Sequence, residues 1–112
     1  MNIAIVGSRT FNNYNLLETE LLKYDNINFI ISGGAIGADR LAEKFALKYN
    51  IKTIIYKPDW GKYGKSAGYI RNKDIVNHAD VVIAFWDGQS KGTKHSIDIA
   101  TATNKKLIII KV

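Results

Sequence analysis

A chain of 112 residues without cysteine has no thiol nucleophile, no thiolate zinc site and no disulfide framework, and with 46% hydrophobic residues it suffices for one core, read as one domain over residues 1–112. The longest apolar runs, Val81 to Trp86 and Leu107 to Ile110, fall far short of the roughly 20 residues of a membrane-spanning helix, and no signal-peptide pattern opens the chain, so a cytoplasmic protein with no membrane role is expected. The net charge of +6 is spread along the chain, which suits a phosphate-bearing small molecule; His78 and His95 lack metal-ligand spacing, and no metal or other cofactor is expected.

Ile3 to Val6 reads as a first strand. It runs into Gly7-Ser8-Arg9-Thr10-Phe11, where Gly7 allows close backbone approach, Ser8 can donate to a phosphate oxygen and Arg9 can pair with one in bidentate fashion. The plainer alternative is a glycine turn beside a surface arginine. A first helix from about Asn15 to Tyr24 places Leu17, Leu21 and Tyr24 on one side.

The second strand, Asn28 to Ile31, leads into Ser32-Gly33-Gly34-Ala35-Ile36-Gly37-Ala38-Asp39. With no side chains at Gly33, Gly34 and Gly37, backbone N–H groups are expected to converge on a ligand anion at the start of the next helix. Asp39 reads either as a partner for a ribose hydroxyl or as a first-turn carboxylate that stabilises the helix. That helix presents Leu41, Ala42, Phe45, Ala46 and Tyr49 on one face. The loop is not a Walker A sequence, because no Gly-Lys-Ser/Thr follows, and it is not a GxGxxG after the first strand.

The third strand, Thr53 to Tyr56, precedes a stretch rich in glycine, lysine and aromatics that reads as a flexible flap, with Trp60 and Tyr63 as rings that could cover a base. Ordinary packing of both rings on the domain is the alternative. A third helix, Ala67 to His78, carries Arg71 and Asn72. The fourth strand, Val81 to Phe85, delivers Trp86, a further stacking candidate, and then Ser90-Lys91-Gly92-Thr93 at the start of a fourth helix, a second phosphate-binding arrangement. His95 reads as an exposed first-turn residue. Leu107 to Ile110 is the fifth strand.

Short apolar strands alternating with amphipathic helices define an α/β chain. Right-handed crossovers predict a Rossmann-like three-layer sandwich with a five-stranded parallel sheet in the order 3-2-1-4-5, and a ligand crevice between strands one and four.

The set Gly7-Ser8-Arg9, Ser32-Gly33-Gly34-Ala35-x-Gly37-Ala38-Asp39, Ala67-Gly68-x-x-Arg71-Asn72 and Ser90-Lys91-Gly92-Thr93 resembles the YspA-like family of the SLOG superfamily, over essentially the whole chain. The resemblance implies binding of a nucleotide or nucleotide-derived signal, such as an ADP-ribose derivative or a cyclic nucleotide, with the glycine-rich loops on phosphate. LOG-type hydrolases of the superfamily carry carboxylates after their Gly-Thr, where this chain has His95 and Ser96, so catalysis is not the leading expectation. The alternative is cleavage of a nucleotide N-glycosidic bond with Asp39 or another loop carboxylate, Asp59 or Asp87, as the catalytic group.

Sensor domains of this kind are typically fused to an effector, and the chain ends with its fifth strand. Capture of a signalling nucleotide, as by a phage or mobile-element protein that opposes host defence, is therefore expected. Single-stranded DNA binding like that of DprA is a further alternative, but no groove of repeated stacking rings is evident and nucleic acid is not expected as a partner. A homo-oligomer is expected to cover the apolar last strand.

Overall fold

The computed structural model describes residues 1–112. Its strands are β1 (Asn2–Gly7), β2 (Phe29–Ser32), β3 (Lys52–Ile55), β4 (Val81–Trp86) and β5 (Lys106–Lys111), all parallel, in the order β3-β2-β1-β4-β5. The helices are α1 (Tyr14–Leu21), α2 (Ala38–Lys48), the single-turn α3 (Trp60–Tyr63), α4 (Ala67–His78) and α5 (Lys91–Ala102). Fold class and strand order agree with the sequence reading.

β1 and β4 pair at the centre, from Ile3 opposite Val81 to Gly7 opposite Phe85. Both are covered on both faces, which explains why they are continuous apolar runs. Period-two alternation sends Ile3, Ile5, Val81, Ile83 and Phe85 to one face, where Leu17 and Leu21 of α1 and Ala42, Phe45 and Ala46 of α2 cover them. Ala4, Val6, Val82 and Ala84 face the other way, against Ile75 and Val76 of α4 and Ile97 and Ala100 of α5. These are the three layers. β3 and β5 form the edges and are far more exposed, and β5 carries Lys106 and Lys111 at its two ends, charges that discourage further strand pairing.

Helix limits follow local chemistry. The Asn13 side chain accepts from the Leu16 N–H at 3.1 Å to start α1, and Ser90 accepts from the Thr93 N–H at 3.4 Å to start α5. Asn50 and Asn104, at φ 56° and 58°, take left-handed conformations just beyond α2 and α5.

Two expectations are corrected. The first helix stops at Leu21, before Tyr24, which packs on the core from the following turn. Residues 60–66 are helical instead of a flap, because Asp59 caps α3 by accepting from the Lys62 N–H at 3.1 Å, and a 3₁₀ turn from Gly64 to Ser66 connects it to α4.

Candidate functional site

Beyond the carboxyl ends of β1 and β4 lies a cavity of about 450 Å³. The chain leaves β1 for β2 on one side and reaches β4 and β5 on the other, so the loops part at this point and a crevice must open there. Residues from the loops after β1, β2 and β4 and from α4 line it, and none comes from the segment after β3. Only Val6, Ala35 and Ile75 of the lining are hydrophobic, no aromatic ring reaches it, and its charged residues are Arg9, Arg71, Lys91, Asp39 and Asp87.

The first loop is tied to its neighbours. A Cβ on Gly7 would lie 2.5 Å from that of Ala38 and 2.8 Å from the Phe85 carbonyl, so only glycine fits between β4 and α2. Ser8 is buried; its N–H donates to the Phe85 carbonyl at 3.1 Å and its Oγ accepts from the Asp87 N–H at 3.2 Å. Arg9 and Thr10 are exposed on the rim. Phe11 is not at the site: it stacks on Phe85 at 4.7 Å in the core, because the β1 loop turns inward there.

The glycine-rich loop behaves differently from expectation. The N–H groups of Gly33 and Ala35 do converge on an anion, but that anion is the carboxylate of Asp39, whose Oδ2 accepts from them at 3.1 and 3.2 Å. A first-turn aspartate lies within reach of its own loop and occupies the nest a ligand phosphate would need. Gly33, Gly34, Gly37 and Ala38 therefore do not line the cavity, whereas Ala35 and Asp39 do. Gly37 and Ala38 serve to dock α2 on the first loop, where the Ala38 N–H approaches the Ser8 carbonyl at 3.4 Å.

Burial pushes the Asp39 carboxyl up to about 6, more than the two N–H groups and Arg71 pull it down. The folded protein therefore binds the Asp39 proton more tightly than the unfolded chain, whose ordinary value is 3.8. Stability attributable to this group falls as pH rises from about 4 to about 6, by up to about 3 kcal/mol. Asp39→Asn keeps an oxygen for both N–H groups and removes the titration. Thermal unfolding of the two proteins between pH 4 and 7 should show the variant gaining on the wild type as pH rises, and parallel curves would refute the assignment.

On α4, Arg71 donates from Nη1 to the Gly33 carbonyl at 3.0 Å and from Nε to Asn72 Oδ1 at 2.9 Å. Three of its five N–H groups have no protein acceptor, and the guanidinium lines the cavity. Burial lowers the Arg71 pKa, Asp39 opposes this and Arg9 adds to it. Asn72 is buried and reaches the fourth loop, with Nδ2 3.5 Å from the Gly92 carbonyl and 3.3 Å from His95 Nδ1. His95 is thus half-buried and engaged, not the exposed residue that the sequence suggested.

In the fourth loop Asp87 Oδ1 accepts from the Gln89 and Ser90 N–H groups, both at 2.8 Å, and these bonds hold its carboxyl below the ordinary range. Ser90 and Thr93 hydroxyls lie 3.0 Å apart at the start of α5, and the N–H groups of Lys91 and Gly92 have no acceptor within the protein. A Cβ on Gly92 would meet nothing within 4 Å, so open space lies above these donors.

None of the three predicted stacking rings lines the cavity. Trp60 is 59% exposed and lies over Gly68, and Tyr63 is held near Lys62, because α3 turns both outward. Trp86 packs on the α4–α5 side of the core and donates from Nε1 to the Ser90 carbonyl at 3.1 Å. Of the loop carboxylates, Asp87 lines the cavity with Asp39 and Asp59 does not, and Thr10 and Ser96 line it without having been singled out for it. Ser96 could have been found from its position one helical turn beyond Thr93.

Fold and cavity together define a Rossmann-like α/β domain with a polar, cation-rich crevice at its topological switch point. The chain belongs to the YspA, cpYpsA-related SLOG family, whose profile matches residues 1–63. It is 34% identical over 103 residues to the Gene 61 protein of Mycobacterium phage D29, covering 83% of this chain and 82% of that protein. Among solved structures it is similar to DNA processing protein A from Helicobacter pylori, with a TM-score of 0.74 and 26% identity over 97% of this chain and 64% of that one. DNA processing protein A from Streptococcus pneumoniae shares the fold, with a TM-score of 0.83 and 21% identity over 99% and 50% of the two chains. The chain thus spans about two thirds and one half of these longer proteins.

The Helicobacter structure concerns a single-stranded DNA binding mode. The expectation that nucleic acid is not a partner is therefore overturned: a close structural relative of this domain belongs to a protein that binds it.

Proposed function

We propose that the cavity binds a nucleotide through its phosphate and that the protein holds this ligand without cleaving it. The observation that carries the reading is the convergence, at one switch-point crevice, of Arg9, Arg71 and Lys91 with the free N–H groups that open α5. Asp39, beside Arg71, suits a sugar hydroxyl through Oδ1, which has no protein partner.

Two facts favour holding over hydrolysis. The positions that follow Gly92-Thr93 are Lys94, His95 and Ser96 and carry no carboxylate, and each of the two carboxylates that do line the cavity has one oxygen engaged by two backbone N–H groups, Asp39 through Oδ2 and Asp87 through Oδ1. A similar protein is encoded by a phage, a setting in which capture of a host signalling nucleotide would be of use. Thermal shift against nucleoside mono-, di- and triphosphates, ADP-ribose and cyclic nucleotides tests the reading, with mass spectrometry of the recovered ligand. Stabilisation with the ligand returned intact is expected; release of free base would show an N-glycosidase, and no stabilisation by any member would refute binding.

A second reading, favoured by the Helicobacter relative, places a phosphate of single-stranded DNA on the same donors. Oligonucleotide affinity that falls steeply with salt distinguishes it, since a strand engages several phosphates and a mononucleotide far fewer.

A further inference from the structure

A nucleotide has an anionic half and an aromatic half, and the cavity offers no ring for the second. Beside it a groove of about 370 Å³ opens between α4 and α5, lined by Ser66, Tyr69, Ile70, Lys73, His95 and Ile99. We propose that this groove receives the base of the nucleotide whose phosphate lies in the cavity, stacked on Tyr69. The inference rests on the phosphate reading above and adds where the base goes.

The two depressions are neighbours by helical spacing. Tyr69 precedes Asn72 by one turn on α4, and His95 and Ile99 follow Gly92 and Ser96 by one turn on α5, with Asn72, Gly92 and Ser96 lining the cavity. The Asn72 amide joins them through Gly92 and His95. Because Asn72 Nδ2 can only donate, His95 Nδ1 accepts, and the imidazole proton lies on Nε2, which has no protein partner.

The groove has the chemistry of a base platform. Tyr69 is 56% exposed, and its ring and that of His95 meet in a T-shaped pair with centroids 4.5 Å apart, a contact that steadies the phenol ring. Ile70 and Ile99 supply apolar surface, while the His95 Nε2 proton and the Lys73 ammonium supply donors for the carbonyl oxygens and ring nitrogens of a base. Lys73 also matches the negative charge of the ligand.

Calorimetric titration with ribose 5-phosphate and with the four common nucleoside 5′-monophosphates tests this. At least one monophosphate should bind more tightly than ribose 5-phosphate by about tenfold, the size of one base–aromatic contact. Tyr69→Ala should abolish that margin while leaving ribose 5-phosphate affinity unchanged, and Tyr69→Phe should preserve it. A margin that survives Tyr69→Ala, or no margin in the wild type, overturns the groove and leaves the phosphate reading standing. Binding of neither ribose 5-phosphate nor any monophosphate overturns both.

Discussion

Gly37→Ala should lower the free energy of unfolding by about 2–5 kcal/mol, a large part of the roughly 5–15 kcal/mol that holds an ordinary domain folded. Two separate effects add. Gly37 sits at φ 85°, where a Cβ is strained by about 1–2 kcal/mol. That Cβ would also run into the carbonyl oxygens of Ser8 and Arg9, backbone atoms that move only if the β1 loop moves, and forced overpacking adds about 1–3 kcal/mol. Gly64 separates the two, because its φ is 57° and nothing lies within 4 Å of its Cβ position. Gly64→Ala should show the conformational part alone. Urea titration reads both, and equal losses in the two variants would mean that the loops are not pressed together at Gly37.

Arg71→Lys should weaken nucleotide binding by about 10- to 100-fold, the loss of one or more hydrogen bonds to a charged group. The substitution keeps the charge but removes the planar fork that holds the Gly33 carbonyl and Asn72 Oδ1 while presenting further N–H groups to the cavity. Lysine can satisfy one of these partners or the ligand, not all of them at once. Arg9→Lys, on an exposed and untethered arginine, should cost far less. Equal effects of the two on ligand affinity, measured by calorimetry, would show that the tethered geometry of Arg71 does not matter.

Much of the fold was legible because its signals are local. Short runs rich in Ile, Val and aromatic residues between polar loops mark each strand, and the spacing of Leu41, Ala42, Phe45 and Ala46 marks the buried face of α2, so alternation and crossover handedness lead to the strand order. The loops that meet at the switch point were legible for the same reason. Ser8, Arg9, Asp39, Arg71, Asn72 and Ser90 to Thr93 do line one cavity.

What remained hidden was which partner each group chooses. Glycines at 33, 34 and 37 announce a loop whose N–H groups are free to converge, and local pattern alone cannot distinguish a ligand phosphate from the carboxylate six residues on. Tertiary packing decided it, by seating α2 against the β1 loop so that Asp39 fills the nest and the N–H groups left without a protein acceptor are those that open α5 and part of the Arg71 guanidinium. The aromatic rings followed the same rule. Phe11 and Trp86 were drawn into the two cores, where burial of a large ring is worth more than a place on a loop, and the short helix capped by Asp59 turned Trp60 and Tyr63 outward. The sequence by itself determined a five-stranded Rossmann-like sheet with polar loops gathered at one end. Only the tertiary structure decided which of their groups are spent on one another and which still face the cavity, because that depends on distances between segments far apart in the chain.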